Sequence, residues 1–147
     1  MTTNIIIVGH GNYGTGIESS IKLLAGYNEG VEFIDFLEED TDVTLKDKIS
    51  KAIANGETAK TLFVCDLLGG TPFKVCVEIS YEKKNMEVVA GCNIGAILET
   101  ILLKDTMEIE ELADNIVKGT KDTAVRFLKV KPAEAAGNDD LSFEDGI

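Results

Sequence analysis

The stretch NIIIVGHGNYGTG, residues 4–16, decides how this chain folds. Ile5, Ile6, Ile7 and Val8 are consecutive β-branched residues with no polar alternation. Such a run is a strand buried on both faces, as in a parallel sheet covered by helices. The run stops at Gly9-His10-Gly11, and residues 16–25 then place Ile17, Ile21, Leu24 and Ala25 at helical spacing before Gly26. A buried strand, a glycine-rich turn and an amphipathic helix open an α/β domain. His10 is the only histidine in the sequence, and it stands between two glycines at the tip of that strand.

The alternation continues outward. Residues 31–36 (VEFIDF) alternate polar with apolar, as a half-covered or edge strand does. Residues 61–65 (TLFVC) are again continuously apolar after Thr61, and residues 86–90 (MEVVA) supply a fourth strand. Helical patterns over residues 45–54, 73–81 and 94–103 follow the second, third and fourth strands. Asn55-Gly56 is the expected stop of the first of these, and Asn93 the N-cap of the last. A fifth helix is expected from about Asp105, with Glu108 three residues on completing a capping box, running through Leu112, Ile116 and Val117.

The order β-α-β-α-β-α-β-α-α predicts an α/β fold: a doubly wound, mainly parallel four-stranded sheet with helices on both faces and right-handed crossovers. Residues 125–130 (VRFLKV) read as an extension of the last helix or as a short final strand. From Pro132 the composition turns small and acidic without periodicity. Residues 1–131 are therefore taken as one domain and residues 132–147 as a mobile acidic tail.

Composition narrows the function. The 147 residues are 44% hydrophobic, enough for one core, and contain no apolar run long enough to cross a bilayer. The N-terminus lacks a basic region and residues 5–8 are too short for a signal core, so a cytoplasmic location is expected. A formal net charge of −12 argues against nucleic acid and anionic membranes. The same charge favours a basic protein partner, or serves solubility alone. Cys65, Cys76 and Cys92 show no CxxC pair and read as buried, reduced thiols. With a single histidine lacking any ligand-spaced companion, neither a metal nor a cofactor is expected.

Ligands of an open parallel sheet bind beyond the carboxyl ends of its strands, where strand order reverses. Asp66-Leu67-Leu68-Gly69-Gly70-Thr71-Pro72 follows the third strand. Gly69-Gly70 permits a tight turn, Thr71 is an N-cap candidate, and Pro72 suits the first helical position. The helix N-terminus behind them is an anion site, and Asp66 faces the same cleft. If the first and third strands are neighbours, Asp66 accepts from one imidazole nitrogen of His10 and leaves the other as a lone pair, an activated nucleophile. No Walker motif is present. GHGNYG matches G-x-G-x-x-G, but only Glu29 and Glu32 stand near the ribose-binding position, and a histidine inside the motif is foreign to dinucleotide binding.

Three stretches carry a family resemblance: IIIVGHG with His10, FVCDLLGGTPF with Asp66, and VVAGCNIGAILET from Val88. In this order and spacing they resemble the IIA domain of the mannose family of the bacterial phosphoenolpyruvate-dependent sugar phosphotransferase system. The resemblance implies that His10 accepts a phosphoryl group from the phosphocarrier HPr and passes it to a histidine of the IIB component. The membrane IIC and IID components are then served indirectly. It implies that Asp66 holds the far nitrogen of the imidazole, and that Thr71 with the Gly69-Gly70 backbone binds the phosphoryl group. It further implies a homodimer exchanging a C-terminal strand, which makes VRFLKV that edge strand. Gly95 stands where relatives often have proline, and Leu68 where an aromatic is common.

The glycines flanking His10 are expected to keep bulk away from an approaching partner. Alternatives are the phosphoryl-donor subunit of a phosphotransferase-dependent dihydroxyacetone kinase, whose relatives tend to place serine around the histidine, and a non-catalytic anion-binding α/β module. A phosphohistidine hydrolase calls for more cations at the cleft than a chain whose one arginine is Arg126 offers.

Overall fold

The computed structural model describes residues 2–53 and 59–130. Its elements run β1 (Thr3–His10), α1 (Tyr13–Ala25), β2 (Val31–Phe36), α2 (Asp42–Ile53), β3 (Lys60–Cys65), α3 (Thr71–Ser80), β4 (Met86–Ala90), α4 (Ile94–Leu103) and α5 (Ile109–Thr123). The four strands form one all-parallel sheet in the order β2-β1-β3-β4. The chain leaves β1 for β2 on one side and returns to β3 on the other, so the order reverses between β1 and β3. That crevice is where such a sheet holds its ligands.

Strand pleating sorts the core into two layers. Ile5, Ile7, Leu62 and Val64 pack under α1, α4 and α5 with Ile21, Ile97, Leu112 and Ile116. Ile6, Val8, Phe63 and Cys65 face α2 and α3 with Leu45, Ile49, Val75 and Cys76. The uninterrupted apolar run of β1 thus serves both layers, and β2, which alternates, lies at an edge. All three cysteines are free and buried. A hydrogen bond with Cys65, and burial after it, push the Cys76 thiol upward, which keeps it protonated and inert.

Several boundaries depart from the sequence reading. Helix α1 begins at Tyr13, ahead of the expected residue 16. Gly14 is the reason: a β-carbon there would lie 2.6 Å from the Ile34 carbonyl oxygen, so the helix sits directly on the β2 backbone. Asp35 secures the same turn, accepting from the Thr15 N–H at 2.9 Å and from its hydroxyl at 2.7 Å. Helix α2 starts at Asp42 because Thr41 and Thr44 exchange side-chain to backbone bonds of 3.2 and 2.8 Å across its first turn. Its expected stop at Asn55-Gly56 lies outside the described residues.

Helix α5 begins at Ile109, not near Asp105. Asp105 instead accepts the Thr3 N–H at 2.8 Å, and the Glu108 carboxylate pairs with Lys60 at 2.8 Å, so the anticipated capping box is not formed. Residues 124–130 form neither helix nor strand within the single chain, and Val125, Phe127 and Leu128 are exposed. The tail from residue 132 lies outside the described residues. No helix among the described residues is long and apolar enough to cross a membrane.

Candidate functional site

The parallel register sets Val8 opposite Cys65. β1 therefore runs two residues beyond the end of β3, and its last residue, His10, meets Asp66, the residue that follows β3, at the switch point. The Asp66 N–H still bonds the Val8 carbonyl at 3.2 Å, which extends the ladder and fixes the base of the carboxylate. Asp66 Oδ2 then accepts both from the His10 backbone N–H at 2.9 Å and from the imidazole Nδ1 at 2.7 Å. Oδ1 accepts the Leu67 N–H at 2.9 Å.

The Asp66 side chain is only 12% exposed, whereas that of His10 is 43% exposed. Burial opposes the charge on Asp66, but the two N–H groups and the imidazole outweigh it and hold the carboxyl below the ordinary aspartate range. An ionised carboxylate has no proton to give, so Nδ1 is the donor and the lone pair of a neutral imidazole falls on Nε2.

Two further contacts orient the ring. The ring of Phe36, at the end of β2, makes a T-shaped contact with it at 85° with centroids 5.7 Å apart. On another side stands Gly70, where a β-carbon would lie 2.8 Å from Cε1 and 3.4 Å from Nε2 of His10. Gly70 is the N-cap of α3, with extended backbone at φ −74°. The Thr71 and Phe73 N–H groups of that first turn have no partner within the helix, and the positive end of the helix dipole abuts the imidazole.

Structure revises the reading of the neighbouring residues. Thr71 is the first residue of α3, not its N-cap; Gly70 takes the cap, and a β-carbon there would crowd His10. Thr71 instead lines a groove shared with Phe36, Thr41, Asp42, Lys74, Val75 and Glu78. Gly69 adopts φ +83°, a left-handed turn that favours glycine.

The two glycines beside His10 stand in different surroundings. Gly9 is buried, and a β-carbon there would collide with the Tyr13 ring and come within 2.8 Å of Asp66 Cγ. Gly11 has open surroundings and serves its turn at φ +57°. Gly70 also keeps bulk off the imidazole. Phe36, Tyr13 and Asp35 escaped the sequence reading. Only Phe36 left a signal, since equal strand lengths from Ile5 and Val31 put it level with His10.

Among the described residues no group of three His, Cys, Asp or Glu side chains could hold a metal ion. The site joins an exposed, oriented imidazole, a partly buried carboxylate behind it and a helix N-terminus beside it. That set, at the switch point of a parallel sheet, suits the transfer of an anionic group.

The chain belongs to the mannose-family IIA components of the sugar phosphotransferase system: the family described as "PTS system fructose IIA component" matches residues 4–117. It is 32% identical over 137 residues to the sorbose-specific EIIA component of Lacticaseibacillus casei, covering 93% of this chain and 99% of that one. It is 34% identical over 138 residues to the mannose-specific EIIAB component of Escherichia coli K12, with 92% of this chain covered and 42% of that protein. The chain thus spans less than half of the EIIAB protein. The phosphotransferase system component EIIA of Streptococcus agalactiae superposes with a TM-score of 0.79 at 30% identity, covering 85% of this chain and 97% of that one. This chain is accordingly a phosphotransferase-type component of sugar uptake.

Proposed function

We propose that His10 is the phosphoryl carrier of this component, charged by the phosphocarrier HPr and discharged to a histidine of a IIB component. The observation that supports it most is the 2.7 Å bond from Nδ1 to Asp66, which leaves Nε2 as the nucleophile beside the N-terminus of α3. The Nε2 lone pair attacks the phosphorus of the donor's phosphohistidine. The donor's N–P bond breaks with its electron pair returning to that imidazole, as an Nε2–P bond forms. The second transfer repeats this with His10 as leaving group. Asp66 holds the Nδ1 proton throughout and stabilises positive charge on the ring.

Gly69, Gly70 and Thr71 form the phosphate cradle in this reading, with the Thr71 and Phe73 N–H groups and the helix dipole facing the anion. No cofactor or metal enters. Donor and acceptor are proteins, which an exposed histidine at the carboxyl end of the sheet can serve in turn, and an acidic carrier suits a basic partner face. Residues 1–131 act as the IIA domain, with residues 132–147 as a tail outside it, in the cytoplasm where both partners work. Residues 125–130 pair with a second copy as an exchanged edge strand, for which the exposed Val125 and Leu128 supply apolar surface. The sugar is met only by the membrane IIC and IID components.

The test is phosphorylation by phosphoenolpyruvate, the general phosphotransferase enzyme and HPr. Wild type acquires an acid-labile, base-stable phosphate and His10→Ala does not. Absence of label on the wild type, or label on His10→Ala, overturns the assignment.

A further inference from the structure

Tyr13 opens α1 and is half-buried, packed against the core layer to which Cys92, Ile97 and Leu112 belong. Its position relative to the site is fixed by Gly9. A β-carbon built on Gly9 would overlap Tyr13 Cδ1, stand 2.7 Å from Tyr13 Cγ and 2.8 Å from Asp66 Cγ. Ring and carboxyl group therefore crowd the same point, and the backbone of β1 has room for both only because residue 9 has no side chain. Asp66 belongs to a surface connection whose next residues, Leu67 and Leu68, are 57% and 81% exposed, yet its own side chain is 12% exposed. Tyr13 stands on the flank of the carboxylate next to Gly9, while His10 occupies another.

The chemistry of the imidazole gives that wall a purpose. In water a neutral imidazole favours the Nε2–H tautomer, which places the lone pair on the nitrogen facing Asp66. The opposite tautomer must be enforced by the hydrogen bond from Nδ1, and that bond strengthens as water is excluded from it. We propose that Tyr13 is a positioning residue for phosphoryl transfer: its ring walls Asp66 off from water and so holds His10 in the Nδ1–H form. The proposal rests on His10 being the carrier. Burial pushes the phenol of Tyr13 upward and the Asp66 charge adds to this, which agrees with ring and carboxylate lying close together. The work belongs to the ring, not to its hydroxyl, because the ring carbons Cδ1 and Cγ are what stand against Gly9, on the side where Asp66 also approaches it.

The test compares Tyr13→Phe, Tyr13→Leu and Tyr13→Ala in the full chain. His10 is the only histidine, so the ring ¹⁵N resonances report one tautomer equilibrium without overlap. Tyr13→Phe keeps the Nδ1–H form and the wild-type rate of phosphoryl uptake from HPr. Tyr13→Ala moves population toward Nε2–H and slows uptake about ten- to a hundredfold, and Tyr13→Leu falls between. If Tyr13→Ala does not fold, Tyr13→Leu against Tyr13→Phe decides. Wild-type tautomer populations in the folded variant that lacks the ring, or equal losses in Tyr13→Phe and Tyr13→Leu, overturn the proposal. A wild type that takes no phosphate refutes the carrier reading instead, while the tautomer measurement still decides whether Tyr13 orients His10.

Discussion

Gly70→Ala separates the chemistry of the site from the stability of the fold. The backbone at Gly70 has φ −74°, which alanine adopts freely, so no backbone strain follows. The added methyl lies 2.8 Å from His10 Cε1 and 3.4 Å from Nε2, and the group it meets is a partly exposed ring able to swing. Restoring an ordinary carbon–carbon separation of about 3.5 Å moves the ring by about 0.7 Å. The bond to Asp66 starts at 2.7 Å, so a shift of that size toward or away from the carboxylate spoils its length or its angle.

The stability cost is that of one partly exposed hydrogen bond and a poorer cap, about 1–2 kcal/mol. The kinetic cost is larger, because misplacing a nucleophile by about 1 Å lowers rates about a hundredfold. Single-turnover uptake of phosphate from HPr measures the rate, and urea denaturation measures the fold. A Gly70→Ala protein that is phosphorylated at the wild-type rate would refute the claim that this glycine makes room for the imidazole.

Asp66→Asn keeps the shape of the side chain and removes its charge, so uptake falls about ten- to a hundredfold, matching the roughly 1.5–3 kcal/mol of a charged hydrogen bond. Because the folded-state pKa of Asp66 is depressed, its contribution to stability is present above the ordinary aspartate range and is lost as pH falls through the lower folded value. Urea midpoints of wild type and variant therefore converge in acid, and a gap independent of pH contradicts the ionised carboxylate. Gly14→Ala places a methyl 2.6 Å from the Ile34 carbonyl oxygen, where only backbone can yield. It destabilises by about 1–3 kcal/mol, and an unchanged denaturation midpoint would mean that α1 does not rest on β2 as described.

Most of the architecture was legible because burial writes itself into hydrophobic period. The continuous runs of β1 and β3 announced strands covered on both faces, and the alternation of β2 announced an edge. The helix starts were less legible. Tyr13-Gly14-Thr15-Gly16 has poor helix propensity, yet α1 begins there because the missing side chain of Gly14 lets the helix touch β2 and Asp35 ties down Thr15. Asp105 and Glu108 read as a capping box until distant partners, Thr3 and Lys60, claimed their carboxylates.

At the site, sequence by itself determined the cast: one histidine and one aspartate at strand ends, and a Gly-Gly-Thr-Pro helix start. Each is announced by local chemistry, a run that ends or a residue that caps. Only tertiary structure decided their roles. Strand order set β1 beside β3, and a register with Val8 opposite Cys65 brought Asp66 onto Nδ1 of His10, which selects Nε2 as the reactive nitrogen. It also gave the crowded position beside the imidazole to Gly70, and the flank of Asp66 to Tyr13. Those assignments depend on contacts between residues more than fifty apart in the chain, and hydrophobic period carries no record of which surfaces finally meet.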